Sequence, residues 1–255
     1  MNILMFGDVV GQIGCDCLAR NMAKLRQQYH ADFIVVNGEN SATGNGITPR
    51  SAQSLLGMGA DVITTGNHCF RRRCMEIYEN PRILRPANFP EGAPGCGMFT
   101  ADLGRIQICV INLMGTAYME PLDNPFTAMD RLLEQTDAKI ILVDFHAEAT
   151  AEKKAMGYYL AGKVTALAGT HTHVQTADHE ILEGGTAYIT DLGMTGPMRS
   201  VLGVAPALAI EKQRFHCPVA FTEADGACMI NGVCISVNDR SGRAEGITPI
   251  LLRDV

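Results

Sequence analysis

Two hydrophobic patterns alternate along the first two-thirds of the chain. Short apolar runs occur at Asn2–Phe6, Phe33–Val36, Asp61–Thr65, Ile106–Leu113, Lys139–Asp144 and Val164–Ala168. Their continuous character predicts strands buried on both faces, as in a parallel sheet. Between them, Ile13–Tyr29 sets Leu18, Met22 and Leu25 at helical spacing. Thr48-Pro49 and Asn124-Pro125 read as helix starts, a capping side chain followed by proline in the first turn. Thr150–Tyr159 predicts a further helix.

From about Ala187 the pattern changes. Strand-like runs at Ala187–Thr190, Val219–Glu223, Ala227–Asn238 and Gly246–Leu252 are divided by glycine turns, with no helical stretch between them. This predicts an antiparallel portion joined to an α/β half, a mixed α/β (α+β) chain. Asn80–Gly97, rich in proline and glycine, follows neither period and predicts an irregular lid. With no internal repeat and no low-complexity linker, residues 1–255 read as a single domain, with 70–100 as a small lid or subdomain.

The polar residues that terminate the strand runs carry the chemistry. They are Asp8, Glu39 with Asn40, Asn67 with His68, His146, and His171 with His173. Ligands of open α/β sheets bind outside the carboxyl ends of the strands, so five strand ends predict one shared edge. In an extended backbone His171 and His173 would point to the same side, roughly 6–7 Å apart. Each residue alone has a plainer reading: Asp8 as a helix cap, Glu39 as a loop acid, the amides as turn residues, the imidazoles as solvated loop groups. Together they supply carboxylate, amide and imidazole donors of the kind manganese, iron or zinc accept, without the thiolates of a structural zinc site. A pair of metal ions needs a bridging carboxylate and about six further ligands, which this inventory approaches.

Composition narrows the classes. The chain of 255 residues carries a net charge of −6, with 47% hydrophobic and 19% charged residues. The acidic balance argues against broad binding to nucleic acid or anionic membrane. Arg71-Arg72-Arg73 is the one basic run, read as a solvated helix start or a phosphate or RNA contact. No stretch approaches the ~20 apolar residues of a membrane span, and the N-terminus lacks the features of a signal peptide. Nine cysteines, an odd number without a C-x-x-C pair, predict a reduced, cytoplasmic protein, with Cys109, Cys228 and Cys234 as small buried hydrophobes. A doubly wound nucleotide-binding domain without metal is disfavoured, because Gly7, Gly11 and Gly14 lack the G-x-G-x-x-G spacing.

Gly7-Asp8, Gly38-Glu39-Asn40, Gly66-Asn67-His68, His146 and Gly169-Thr-His171-Thr-His173 resemble, in order, the blocks of the calcineurin-like metallophosphoesterases. They are similar in particular to the bacterial YmdB-type branch. Two departures from the wider superfamily stand out: Val10 occupies the position of a usual histidine, and Glu39 that of a usual bridging aspartate. The resemblance implies a four-layer α/β/β/α sandwich with the metal site at the strand C-terminal ends.

It further implies that Asp8, Glu39, Asn40 and His173 hold one metal, and Glu39, Asn67, His146 and His171 the other, iron or manganese before zinc. Hydroxide bridging the metals would attack phosphorus in line, with His68 as general acid. The implied substrate is a cyclic nucleotide, 2′,3′-cyclic in particular, and the implied assembly a homo-oligomer. The rivals are a phosphomonoesterase or nucleotidase on the same site, and a non-catalytic metal-bearing protein that binds nucleotide or RNA. Asp144 and Glu148 are expected to orient His146, and Asp191 to stand near the site without ligating. His30, His179 and His216 fall outside it. Substrate choice is expected in 80–97, 114–124 and 191–200.

Overall fold

The computed structural model describes residues 1–255, and its first strand shows how the layers arise. Along β1 (Asn2–Phe6), Ile3 and Met5 face a core shared with a second sheet, while Leu4 and Phe6 face a core beneath helices. In β3 (Ala31–Asn37), Phe33 and Val35 point one way and Ile34 and Val36 the other. Side chains alternate across a strand, so continuous apolar runs are what two covered faces require.

The first sheet has the order β2 (Asp8–Val9), β11 (Met194–Pro197), β12 (Cys228–Val237), β1, β3 and β4 (Val62–Thr64), with β13 (Ala244–Arg253) on the other edge of β12. The second runs β5 (Met98–Asp102), β6 (Gln107–Met114), β7 (Ile140–His146), β8 (Ala166–Thr170), β10 (Thr186–Ile189) and β9 (Glu180–Leu182). The triplet β1, β3 and β4 is parallel, as is the quartet β6, β7, β8 and β10.

Helices α1 (Gly11–Gln28) and α2 (Pro49–Gly57) cover the first sheet, and α3 (Pro125–Leu133) and α4 (Thr150–Leu160) the second. The stripe of Leu18, Met22 and Leu25 on α1 is buried. Thr48 caps α2 in a reciprocal pair with Ser51, and the Asn124 side chain caps α3. The expected four-layer α/β/β/α sandwich is the observed fold. Cys109, Cys228 and Cys234 are buried as expected.

The C-terminal third departs from the prediction. Its strands pair antiparallel as expected, β9 with β10 and β12 with both β11 and β13, but they make no portion of their own: β9 and β10 extend the second sheet, while β11, β12 and β13 complete the first. A helix, α5 (Pro206–Phe215), lies where none was expected. Its sequence is rich in intrinsic helix formers but only Ala209 is buried, so there was no apolar stripe to read. Val219–Glu223, expected as a strand, is a loop with one isolated bridge at Glu223. The segment 70–100 is tied down: Ile83 and Leu84 are buried and bridge to Ile63 and Cys96. Phe70 stacks edge-on against both Tyr78 and Phe89.

Candidate active site

Strand ends from both sheets, β1, β3 and β4 of one and β7 and β8 of the other, deliver the site residues to a common point. Asp8, Glu39, Asn40 and His146 are almost wholly removed from solvent. Two knots of donor atoms result.

In the first, Asn40 Nδ2 lies 3.3 Å from Asp8 Oδ1, 2.8 Å from Glu39 Oε1 and 3.3 Å from His173 Nε2. In the second, His146 Nε2 lies 2.9 Å from Asn67 Oδ1, 3.0 Å from His171 Nδ1 and 3.3 Å from Glu39 Oε2. Glu39 gives one oxygen to each. The structure thus brings all seven residues expected as ligands together, in the grouping expected. Its shared member is the buried carboxylate.

His68 stands beside them. Its backbone N–H donates to Glu39 Oε2 at 3.0 Å, and its Nδ1 lies 3.1 Å from Glu39 Oε1. Both contacts follow from position: His68 comes directly after Asn67 in the turn that leaves β4, so the turn that presents one presents the other.

Three features of the pocket fit metal ions. Ligand atoms of Glu39, His146 and His171 all lie within 4.8 Å of one another, which is the spacing of donors around a common ion. Asn40 Oδ1 is buried without a hydrogen-bond partner; turning the amide over would aim that oxygen at Asp8, Glu39 and His173, where a cation would satisfy it. Gly66 is the third. A Cβ added there would overlap the His146 ring and the Glu39 carboxylate, so the missing side chain is what lets those donors close in.

Electrostatics favour the same occupant. Burial opposes ionisation of Asp8 and Glu39, but the facing histidines override it and hold both carboxyls below their ordinary range, Glu39 well below. Burial likewise opposes the His146 cation, yet Glu39 and Asp8 push that imidazole up to about 9. His171 moves down, through burial and the neighbouring His146. Proton and metal compete for these same lone pairs.

The histidine loop is not the extended segment the sequence suggested. Strand β8 stops at Thr170, and His171 and His173 take the left-handed backbone, with φ of 101° and 63°. Such conformations in non-glycine residues cost about 1–3 kcal/mol each and persist only where the surroundings impose them. Here the imposing group is Asp191. Its Oδ2 accepts from Thr172 N at 3.0 Å and Thr172 Oγ1 at 2.8 Å, and its Oδ1 from Gly193 N at 2.8 Å. Asp8 Oδ2 holds His171 N at 3.1 Å from the other side.

Behind Asp191, Lys153 Nζ completes a buried ion pair at 2.7 Å. Lys153 was not anticipated, because a lysine in an amphipathic helix ordinarily points to water.

The supporting roles also shifted. Glu148 pairs with His171 Nε2 at 3.0 Å rather than with His146. Asp144 reaches His146 through Thr170, whose Oγ1 lies 2.7 Å from Asp144 and 2.9 Å from His146 Nδ1. Burial pushes the Asp144 carboxyl up to about 6, against hydrogen bonds from Thr64, Thr170 and Asn37. Arg72, from the basic run, donates to the carbonyls of Asn45 and Thr43, bracing the loop on which they lie. His30 and His216 are exposed, at or just beyond helix ends.

A cleft of about 630 Å³ opens over the knots. Residues 43–45, 202–204 and 221–223 wall it, and His68 and Glu148 are also in its lining. None of the segments expected to set substrate choice, 80–97, 114–124 and 191–200, lines it.

Comparison with known proteins agrees in extent. A family model described as YmdB-like protein matches residues 4–250. A Bacillus subtilis (strain 168) protein, named 2′,3′-cyclic-nucleotide 2′-phosphodiesterase, is 44% identical over 260 residues, covering 100% of this chain and 98% of its own. A crystal structure of a hypothetical protein from Thermus thermophilus superposes with TM-score 0.95 at 36% identity, covering 100% of each chain. A phosphatase from Mycoplasma pneumoniae gives TM-score 0.95 at 32% identity, over 100% of this chain and 94% of its own.

Proposed function

The chain belongs to the YmdB-like family, and from that membership and the cleft's donors we propose that it is a metal-dependent phosphodiesterase of cyclic nucleotides, 2′,3′-cyclic ones in particular. The observation that carries this reading is the pair of donor knots sharing Glu39. Asp8, Asn40 and His173 would hold one divalent cation, Asn67, His146 and His171 the other, and Glu39 both. Bound there, the two ions supply the charge that activates a water and neutralises the phosphoryl oxygens. Mixed nitrogen and oxygen donors suit iron or manganese.

The chain's own residues complete the reaction. Glu39 occupies Nδ1 of His68, so a proton given into the cleft leaves from Nε2, towards the departing alkoxide. Glu148 fixes the His171 ring at Nε2 and the Leu202 carbonyl fixes the His173 ring at Nδ1, as outer hydrogen-bond partners fix metal-binding imidazoles, while Asp191 holds the backbone of Thr172 between them. Leu202 and Phe221, apolar and half-exposed in the cleft walls, suit the flat face of a nucleobase. No helix is long and apolar enough to cross a membrane, and nine unpaired cysteines support a reducing, cytoplasmic setting.

The test pairs metal content with turnover. Glu39→Gln loses bound metal and diester hydrolysis together. His68→Ala keeps its metal but slows cyclic-nucleotide hydrolysis by about 10²–10⁴-fold, and is far less impaired on a p-nitrophenyl diester whose leaving group needs no proton. A His68→Ala enzyme that opened the cyclic nucleotide at the parent rate would remove that residue from the mechanism.

A further inference from the structure

Charge in the cleft bears on a choice the metal donors do not make. No lysine or arginine lines it, and its carboxylates beyond Glu39 are Glu148 and Glu223. Glu148 is engaged with His171 at 3.0 Å. Glu223, on the wall formed by 221–223, has only neutral support: its Oε1 accepts from Gly44 N at 3.2 Å.

The carboxylate also sits against Gly11, where a Cβ would collide with it. Gly11 opens the 18-residue helix α1, whose own first turn has neither an acidic residue nor a side-chain cap. The partial positive charge of a helix N-terminus attracts a carboxylate. Glu223 is therefore held at the cleft by a helix N-terminus and a backbone N–H, with no lysine or arginine paired to it. Arg72 comes up against Gly44, but its guanidinium donates to the Thr43 and Asn45 carbonyls and is not part of the lining.

We propose that Glu223 is a specificity-determining residue that restricts this cleft to phosphodiesters bearing a single negative charge, and rejects nucleotides carrying a second phosphate. The inference rests on the phosphodiesterase reading above. One phosphoryl anion has the donor knots and their cations to meet it. A second, further along the nucleoside, has no basic side chain to receive it and meets Glu223. The same repulsion acts on product. Hydrolysis forms one P–O bond from water and breaks one P–O bond to the alkoxide, which takes a proton from His68 while the water's proton passes to solvent. The resulting monoester carries a further charge near neutral pH, so Glu223 favours its departure.

The experiment compares kcat/KM of the manganese-loaded protein on adenosine 2′,3′-cyclic phosphate and on the same compound with a 5′-phosphate. The intact protein should favour the first by about 3- to 10-fold at low ionic strength, with the preference fading towards unity near about 0.5 M salt. Glu223→Gln, which keeps an acceptor for Gly44, should compress the preference by a similar factor and tighten inhibition by the 3′-nucleotide. A role confined to capping α1 would lower thermal stability and leave the substrate ratio where it was, which overturns the proposal.

Equal turnover of both compounds by the intact protein overturns it too, as does a preference insensitive to salt; neither measurement needs a variant. Hydrolysis of neither compound would instead sink the phosphodiesterase reading on which it rests.

Discussion

Lys153→Met removes the ammonium from a pair in which both partners are almost fully buried, 2.7 Å apart. The variant keeps the length and apolar stem of the lysine, so packing on α4 changes little. What remains is the Asp191 carboxylate, still accepting from Thr172 and Gly193 but with no cation. Removing one partner of a buried pair costs about 3–5 kcal/mol, because the other charge stays behind uncompensated. For a domain near this size each kcal/mol moves Tm by about 2–4 °C, which gives a fall of about 6–20 °C in calorimetry.

The neutral double variant Lys153→Met with Asp191→Asn should recover part of that loss, with a coupling of about 0.5–3 kcal/mol for groups in direct contact. Asp191 also holds the strained turn between His171 and His173, so Asp191→Asn alone should weaken metal affinity by about 10–100-fold, read by titration with manganese. If Lys153→Met melted within about 2 °C of the parent, or the double variant lost the sum of the singles, the pair would not be stabilising the histidine loop in the way described.

Two further predictions test the close approach of the donors and the acid limb of stability. Gly66→Ala should fold, by circular dichroism, yet bind less than its full complement of metal and lose about 10–100-fold in activity, because the new Cβ displaces His146 and Glu39; full metal content by elemental analysis would refute this. Asp178 is partly buried, which opposes ionisation, but Thr190, Thr176 and Lys154 win and hold its carboxyl below the ordinary range. Its stabilising contribution is present above the unfolded value of about 3.9 and is lost as pH falls through the depressed folded value. Asp178→Asn should therefore flatten the loss of stability on acidification below about pH 4, followed by urea midpoints; an unchanged acid limb would contradict it.

The sequence by itself determined the buried central strands, most helices and which residues meet at the candidate site. These are local properties. A strand buried on both faces must read as a continuous apolar run, and the polar residue that ends it follows immediately in the chain. Asp8, Glu39, Asn40, Asn67, His68 and His146 could be picked out for that reason, and His171 and His173 with them. Strand alternation does not account for the histidine pair, whose geometry comes from a left-handed turn imposed by Asp191 and Asp8.

Tertiary structure decided everything that depends on distant segments meeting. It placed the strand ends of two separate sheets around one point, with Asn40 and His146 at the centres of two knots and Glu39 between them. It buried Lys153 against Asp191, 38 residues away in the chain, where helix periodicity marks a lysine for solvent. It built the cleft walls from 43–45, 202–204 and 221–223, loops without any period of their own. A donor's chemistry is written in its side chain and its place after a strand; its partners, and the charge of the walls around it, are set only when the sheets close face to face.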